Sequence, residues 1–372
     1  MKLTVLSPLH IGNGNELTVI DVLPLNDGRI AVLDLERLML ELTSAGADVE
    51  EILTLVKAPD IMEDMYIWKR YLSDYGVGLE KVKKYTLPVV GRIAPRSMRI
   101  REFIKSSGRP YIPGSSVKGS IRTAVFYHVA LKYRSRVEKL LEKLADSEGR
   151  INPKRADDEL EMLVFGYARG RRGRRRYEPK RDPMRALVVR DSEPLSIRNL
   201  KVYAVSTVGG KSEIPQYVEG VEGIDVEIEI RVDNELLSRA MRAGELNGLL
   251  ADTIKGKEDF EDLIWKAIDS FSREVISFER RELRKYGAFR ESVGRFYSQL
   301  ERMEGHKLRV GWGSGWYSMT LGPLILGTDF FKHIRRKFQL GRKPGTHALS
   351  GDFPKTRRVA NSRPMGWVIL RE

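Results

Sequence analysis

The amino-acid sequence predicts an α+β protein built on antiparallel sheets. Strand-like and helix-like segments are mixed along the chain without the strict alternation that marks a doubly wound parallel sheet. Residues 224–232 contain the run VEIEIRV, in which apolar and charged side chains alternate as in a half-buried antiparallel strand. Over residues 258–284, apolar side chains recur every three or four positions, which predicts a long amphipathic helix packed on a core.

The first half of the chain contains predicted strands, then helices, then strands again before one further helix. In chain order, strands are predicted at 3–6, 17–25 and 30–33, helices at 35–43, 49–56 and 59–75, and strands at 86–93 and 98–104. Residues 111–133 then predict a helix that begins near Gly114, because a Pro-Gly-Ser start precedes a regular apolar face.

An arginine-rich segment divides the chain into two predicted parts. Helices are predicted at about 135–147 and 156–165, after which Gly166 and clustered arginines interrupt the apolar pattern. We therefore predict an N-terminal domain at 1–168, a basic and flexible insert at 169–185, and a C-terminal part at 186–372. That last part contains predicted strands at 186–190, 200–207 and 224–232, the long helix, a strand KLRVGW, a glycine-rich turn, a short helix near 329–339 and a closing strand GWVIL.

The charge of the chain favours a polyanionic partner. Its 65 Lys and Arg residues against 51 Asp and Glu residues give a formal net charge of +14. Residues 169–181 carry eight of these cations against the single Glu178, so this short stretch supplies half of the net charge. A solvated insert without a core explains the same composition, and such an insert is compatible with RNA contact.

Composition also excludes several classes of function. The 372 residues contain no cysteine, which removes disulfides, thiolate zinc sites, iron–sulfur clusters and a cysteine nucleophile. The five histidines lack the spacing of a metal site, so we expect neither a metal nor another cofactor. The chain has no run of about 20 apolar residues and its start is typical of a strand and turn, so we expect a cytoplasmic protein without membrane contact.

The segment YIPGSSVKGSIR at 111–122 is the first candidate phosphate site. A helix that starts here would present free backbone N–H groups, with Ser115 or Ser116 as its cap, and helix starts attract phosphate. Lys118 and Arg122 are four residues apart and would project from one face toward the same ligand. An ordinary capped helix with solvated charges explains these residues equally well, and the spacing of an ATPase P-loop is not met.

Two later segments are also candidates. The run GWGSGW at 311–316 alternates glycine with tryptophan, which allows close backbone approach to a phosphate chain while the indoles stack or pack. The run FPKTRR at 353–358 adds three cations in an extended segment, although a surface loop explains it as well. His10, beside a glycine turn, could contact a ligand, but a histidine with a structural hydrogen bond is the commoner outcome.

Five segments in a fixed order resemble the RAMP superfamily of CRISPR proteins. They are LSPLHIGNG at 6–14, YIPGSSVKGSIR at 111–122, the Phe-Gly pair at 165–166 followed by ALVVRDSEP, GWGSGW at 311–316 and FPKTRR at 353–358. The last of these segments, FPKTRR, resembles the corresponding segment of the fifth subunit of the type III-A (Csm) effector complex. The resemblance implies ferredoxin-like (RRM-like) modules with antiparallel sheets and large helical insertions.

The resemblance also implies a function and partners. Members of this kind bind the 3′ portion of the crRNA, contribute to its maturation in antiviral defence, and contact the repeated backbone subunit, other Csm subunits and target RNA. The RNA-binding residues expected here are Gly114, Ser115, Ser116, Lys118, Arg122, Arg309, Gly311, Gly313, Ser314, Gly315, Lys355, Arg357 and Arg358, with Arg171 and Arg174 in the insert. The chain lacks an RNP1 motif, so gripping of the RNA backbone is favoured over reading of bases.

Two functional hypotheses remain open at this point. The leading one is a non-catalytic RNA-binding subunit. The alternative is a metal-independent endoribonuclease that processes crRNA precursor, with His10 as general base and Lys118 or Arg122 stabilising charge on the phosphate. The sequence offers one base without an acid partner, which is weak support for catalysis. A general RNA-binding protein outside CRISPR would leave the order of the five segments unexplained.

Overall fold

A computed structural model describes residues 1–58, 61, 64–93, 98–146, 158–169, 175–209, 215–255, 259–343, 345–346 and 348–372. The strands are β1 (Lys2–Val5), β2 (Gly12–Leu17), β3 (Val22–Pro24), β4 (Arg29–Leu33), β5 (Lys83–Val90), β6 (Ile100–Phe103), β7 (Lys105–Ser106), β8 (Arg109–Pro110), β9 (Tyr167–Arg169), β10 (Arg175–Tyr177), β11 (Leu187–Val189), β12 (Lys201–Val208), β13 (Gln216–Gly220), β14 (Ile224–Glu227), β15 (Ile230–Val232), β16 (His306–Arg309), β17 (Arg357–Ala360), β18 (Arg363–Pro364) and β19 (Trp367–Arg371).

The helices lie between these strands. They are α1 (Leu35–Ser44), α2 (Val49–Lys57), α3 (Ile67–Asp74), α4 (Leu79–Val82), α5 (Gly114–Lys132), α6 (Arg134–Asp146), α7 (Asp158–Phe165), α8 (Asn234–Arg242), α9 (Leu249–Lys255), α10 (Phe260–Arg281), α11 (Arg290–Arg302), α12 (Trp316–Met319), α13 (Gly322–Ile325) and α14 (Phe331–Lys337). Short 3₁₀ segments cover Pro179–Arg181, Pro183–Ala186, Ile197–Asn199 and Leu283–Phe289. None of the described helices is both long and apolar enough to cross a membrane.

The strands form two main sheets. The larger sheet has nine strands in the order β2-β6-β13-β12-β5-β4-β3, and β17 and β18 join it through β12. The β6–β13 and β5–β12 pairs are parallel and the other pairs are antiparallel. The smaller sheet, in the order β14-β1-β19-β16, is antiparallel throughout. The predicted α+β class is therefore confirmed, with parallel pairs at two places in the larger sheet.

One hydrophobic core joins segments from both ends of the sequence. Leu3 on β1 and Val368 on β19 are fully buried in it, because the first and last strands are neighbours in the smaller sheet. The helices α5 and α10 pack on each other, with the rings of Tyr127 and Phe271 5.1 Å apart. A second core lies under α1–α4, around Trp68. The predicted domain boundary at residue 168 stays a prediction.

Most predicted elements are confirmed, and three are corrected. The predicted helix at 258–284 is α10, whose start Asp259 caps through its carboxylate. The single strand predicted at 224–232 is two strands, because the chain changes partner: β14 pairs with β1, whereas β15 pairs with β11. The strand predicted at 17–25 is interrupted by a turn in which Asp21 accepts the Thr18 N–H. The helix predicted at 59–75 begins only at Ile67 among the described residues.

A buried carboxylate connects the strands of the larger sheet. Glu219, on β13, is fully buried and accepts three hydrogen bonds: from Lys105 Nζ at 2.5 Å, the Phe103 N–H at 2.8 Å and the Tyr85 hydroxyl at 3.0 Å. The carbonyl oxygen of the same residue accepts from His10 Nδ1 at 2.7 Å. Four segments distant in sequence therefore meet at Glu219, and its charge is compensated by the ammonium of Lys105.

We predict that Glu219→Ala lowers the free energy of unfolding by about 3–5 kcal/mol, because it leaves the Lys105 ammonium without its closest counter-ion in a buried site. Urea unfolding followed by circular dichroism measures the loss. The matched control is Glu80→Ala, which removes an exposed carboxylate paired with Lys83 and should cost less than about 1 kcal/mol. Equal losses for the two variants would contradict the role of Glu219.

Candidate nucleic-acid interface

The glycine-rich loop that follows β16 folds against the N-terminal segment. Gly311, Gly313 and Gly315 have φ angles of 78°, 91° and 82°, a backbone region that only glycine adopts readily. A Cβ atom on Gly311 would lie 2.5 Å from the His10 carbonyl oxygen, so this position also requires a hydrogen atom for close packing. The Trp312 N–H donates to that carbonyl at 2.9 Å. The loop therefore has one conformation, fixed by the backbone around His10.

The basic segment 353–358 and this loop line the same cavity. The segment leads into β17, which pairs with β12 through residues 357–359. The cavity has a volume of about 400 Å³. Its lining includes the following residues from the expected RNA-binding set: Arg309, Gly313, Ser314, Gly315, Lys355, Arg357 and Arg358. Two segments separated by about 40 positions in sequence are thus brought to one place.

Two of these arginines build the wall of the cavity. Arg357 is 5% exposed, and its Nε donates to Glu279 Oε2 at 3.0 Å while Nη1 donates to the Pro354 carbonyl at 2.7 Å. Arg309 is 7% exposed and donates to the Met365 carbonyl at 3.0 Å, with Nη1 4.0 Å from Glu279 Oε1. Both guanidinium groups therefore hold β16 and β17 against α10, which positions the cavity.

Arg358 differs from these two arginines because it has no carboxylate partner among the described residues. Its guanidinium lies over the Trp312 ring, 4.3 Å from the centroid, and the Arg101 guanidinium lies over the same ring at 4.9 Å. Burial, and then the charge of Arg101, lower the pKa of Arg358. Its Nε is buried without an acceptor. Arg101 has Glu16 at 3.7 Å. The half-buried Arg358 thus carries a charge that the described residues leave uncompensated.

The open side of the cavity adds further positive charge. Lys355 and Lys343 are exposed and line it, and neither forms an ion pair within the described ranges. Arg101 was not among the residues expected from sequence. The sequence predicted only a strand at 98–104, and the approach of Arg101 to Trp312 depends on the fold.

The start of α5 is not the free helix end that the sequence predicts. The helix begins at Gly114, and neither Ser115 nor Ser116 caps it through its side chain. The Gly114 N–H instead donates to Asp191 Oδ1 at 2.8 Å, and a Cβ atom at position 114 would lie 2.3 Å from the Val189 carbonyl oxygen. The expected serine cap is therefore wrong, and the Gly114 N–H is already bound to a carboxylate. Binding of RNA phosphate by Gly114, Ser115 and Ser116 stays a prediction.

Lys118 and Arg122 are engaged within the chain. Lys118 donates to the Leu187 carbonyl, and burial lowers its pKa. Arg122 contacts the carboxylates of Asp182 and Glu161 and lies 3.5 Å over the centroid of Phe165. These contacts hold β11 and the preceding 3₁₀ segment against α5. Contact of either side chain with RNA stays a prediction, as it does for Arg171 and Arg174, which lie outside the described residues.

His10 lies inside the fold. It is 2% exposed, its Nδ1–H donates to the Glu219 carbonyl, and its ring meets Phe103 and Trp312 edge-on at centroid distances of 6.3 and 5.9 Å. Burial lowers its pKa to about 4, although the bond to Glu219 partly opposes this. The geometry favours the structural interpretation of His10. Among the described residues, no group of three or more acidic or histidine side chains is placed to hold a metal ion.

Comparisons with known proteins agree on one family. The model of the RAMP superfamily matches residues 2–318. A curated protein of Methanocaldococcus jannaschii, the CRISPR system Cms protein Csm5, is 24% identical over 403 residues, which span 100% of this chain and 88% of that protein. The RAMP match agrees with the ferredoxin-like class expected from the sequence motifs.

Two solved structures resemble the whole chain. One is a chain of the cryo-EM structure of a Csm–crRNA–target RNA ternary complex in a type III-A CRISPR-Cas system, with a TM-score of 0.87 and 41% identity over 100% of this chain and 99% of that one. The other is the crystal structure of T. onnurineus Csm5, with a TM-score of 0.81 and 40% identity over 99% of this chain and 100% of that one.

We predict a pH dependence of stability that His10 causes. The unfolded chain binds a proton on this residue below its ordinary pKa of 6.5, whereas the folded chain does so only near 4. The free energy of unfolding should therefore fall by about 3 kcal/mol as the pH decreases from 6.5 to 4. His10→Asn cannot titrate and should lack this component. Urea unfolding of the wild type and of the variant between pH 6.5 and 4 isolates this component. A difference in the free energy of unfolding that does not change with pH would contradict the burial of a neutral imidazole.

Proposed function

This chain belongs to the RAMP superfamily, in its Csm5 branch, and from that premise we propose that it is a crRNA-binding subunit of a type III-A Csm ribonucleoprotein. In this role it caps the 3′ portion of the crRNA and contributes to crRNA maturation in antiviral defence. Its partners are then crRNA, target RNA, the repeated backbone subunit and other Csm subunits. The proposed location is the cytoplasm.

The arrangement of Arg358, Arg101 and Trp312 is the observation that carries this proposal. Two guanidinium groups meet at one indole, and the one with a lowered pKa has a buried N–H without an acceptor. A phosphate group bound beside them would offset their repulsion, with the strength of a charge-assisted hydrogen bond to a guanidinium group. The nearby Lys355 extends the same positive surface. A polyanion with regularly spaced phosphates fits this surface.

The same surface favours binding that tolerates any RNA sequence. Its cations would contact phosphates, which are identical in every RNA, and base edges are not needed for this contact. A subunit that serves guides of different sequence requires this property. The cations of residues 169–181 would add long-range attraction, since charge steers encounter over a Debye length of roughly 8 Å at physiological ionic strength.

We further propose that the subunit is not catalytic. The general base of the endoribonuclease hypothesis, His10, would need a solvent-facing nitrogen beside the ribose 2′-hydroxyl. Instead it is buried, its Nδ1–H donates to the Glu219 carbonyl, and burial lowers its pKa to about 4. Lys118 and Arg122, the proposed charge stabilisers, contact groups of the chain itself. These contacts support a structural role for all three residues.

We predict that replacing Arg101 and Arg358 together by Gln weakens binding of single-stranded RNA about tenfold or more, through faster dissociation. The slope of log K against log salt should become shallower by about 0.7, because the variant no longer neutralises the one phosphate that the two guanidinium groups share. Fluorescence anisotropy with a labelled oligonucleotide at several salt concentrations measures both quantities.

The matched control removes two positive charges elsewhere. Arg37 and Arg239 are exposed on helices and already pair with Asp34 and Glu235. Their double replacement by Gln should leave affinity and slope close to the wild-type values. If the control variant and the Arg101/Arg358 variant lose affinity equally, the effect is one of net charge, and the proposed site is wrong.

A further inference from the structure

The cavity between the glycine-rich loop and residues 353–358 is larger than phosphate contact requires. Its volume of about 400 Å³ lies within the range of roughly 300–1,000 Å³ that is typical of small-ligand sites. Phosphates bound at Arg358 and Lys355, which contribute to the lining, would fill only part of this volume. The interior of the cavity is therefore available to a second part of the ligand.

We propose that this cavity holds one unstacked base of the bound RNA. The inference deepens the proposed function and rests on it, because it specifies what the RNA places behind the phosphate-binding surface. The apolar part of the wall comes from Trp316, Tyr317 and Phe353. Trp316 and Phe353 meet edge to face at 4.8 Å and form one aromatic surface. Aromatic walls bind bases of any sequence, since every base has a π-face.

The polar part of the wall offers a hydrogen-bond donor. Arg357 lines the cavity, and its Nη2 is buried without an acceptor among the described residues, whereas its Nε and Nη1 are occupied. A buried donor of this kind is costly until a ligand supplies an acceptor. Every base has a carbonyl oxygen or an unprotonated ring nitrogen, so the donor requires a base edge without selecting a particular base.

The charges around the cavity fit this occupant. The one carboxylate among the described residues of the lining, Glu279, is shared between Arg357 and Arg309 and is already compensated. The remaining charged residues of the lining, Arg342, Lys343, Lys355 and Arg358, are all cations. The phosphates on either side of the inserted base would lie at these residues, and the neutral base would lie against the apolar wall.

The test fills the cavity without changing its charges. Ser350 lines it and makes its hydrogen bonds in the described structure through backbone atoms, to the Gly341 carbonyl and from Arg335. Ser350→Phe should therefore occupy the space of the base and keep these hydrogen bonds, and Ser350→Ala is the control that leaves the cavity open. Each full-length protein is titrated with a single-stranded RNA and with an RNA of the same length whose ribose units all lack bases.

We expect Ser350→Phe to weaken binding of the intact RNA about tenfold, which is the order of the affinity that one stacked base contributes. Binding of the abasic RNA should be the same for Ser350→Phe, Ser350→Ala and the wild type, which also shows that the variant is folded. Equal affinities of Ser350→Phe and Ser350→Ala for intact RNA would overturn the inference, as would an equal loss on both RNAs. If the wild-type protein binds neither the intact nor the abasic RNA, the proposed function itself is contradicted.

Discussion

The buried carboxylate of Glu279 is the constraint on which the candidate site depends. It lies on α10 and compensates Arg357 from β17 and Arg309 from β16, two strands that belong to different sheets. Because both guanidinium groups are almost fully buried, their charges require this partner. The pairing fixes the glycine-rich loop on one side and residues 353–358 on the other. The cavity between them follows from that geometry.

The basic residues of the candidate sites fall into two classes that their sequence does not distinguish. In the first class a carboxylate compensates the charge, and in the second class the described residues provide no such partner. Arg357 and Arg358 are adjacent in the chain and both line the cavity, but their guanidinium groups have different partners. One is neutralised inside the fold by Glu279, and the other lies over Trp312 near a second arginine. Arg122 belongs to the first class. Only the second class leaves charge available for a polyanion.

Local patterns predicted much of the fold. Apolar periodicity identified α5 and α10 because that signal lies in neighbouring residues, and the order of five short motifs along the chain identified the family. The predictions that failed concern contacts between residues that are far apart in the sequence. At the start of α5 the Gly114 N–H donates to Asp191, 77 positions away, and the sequence around Ser115 does not indicate this contact. The approach of Arg101 to Trp312 likewise depends on how the sheet and the glycine-rich loop pack together. Arg101, whose charge lowers the pKa of Arg358, was therefore not among the residues expected from the sequence.

Crosslinking in the native complex tests the central claim most directly. Cells of the native host that carry the tagged protein are irradiated with ultraviolet light, the complex is purified, and both the attached RNA and the crosslinked peptides are identified. The proposed site predicts CRISPR spacer sequences in the RNA and crosslinks within residues 311–316 and 353–358. Crosslinks concentrated at 114–122, or RNA without spacer sequences, would contradict it.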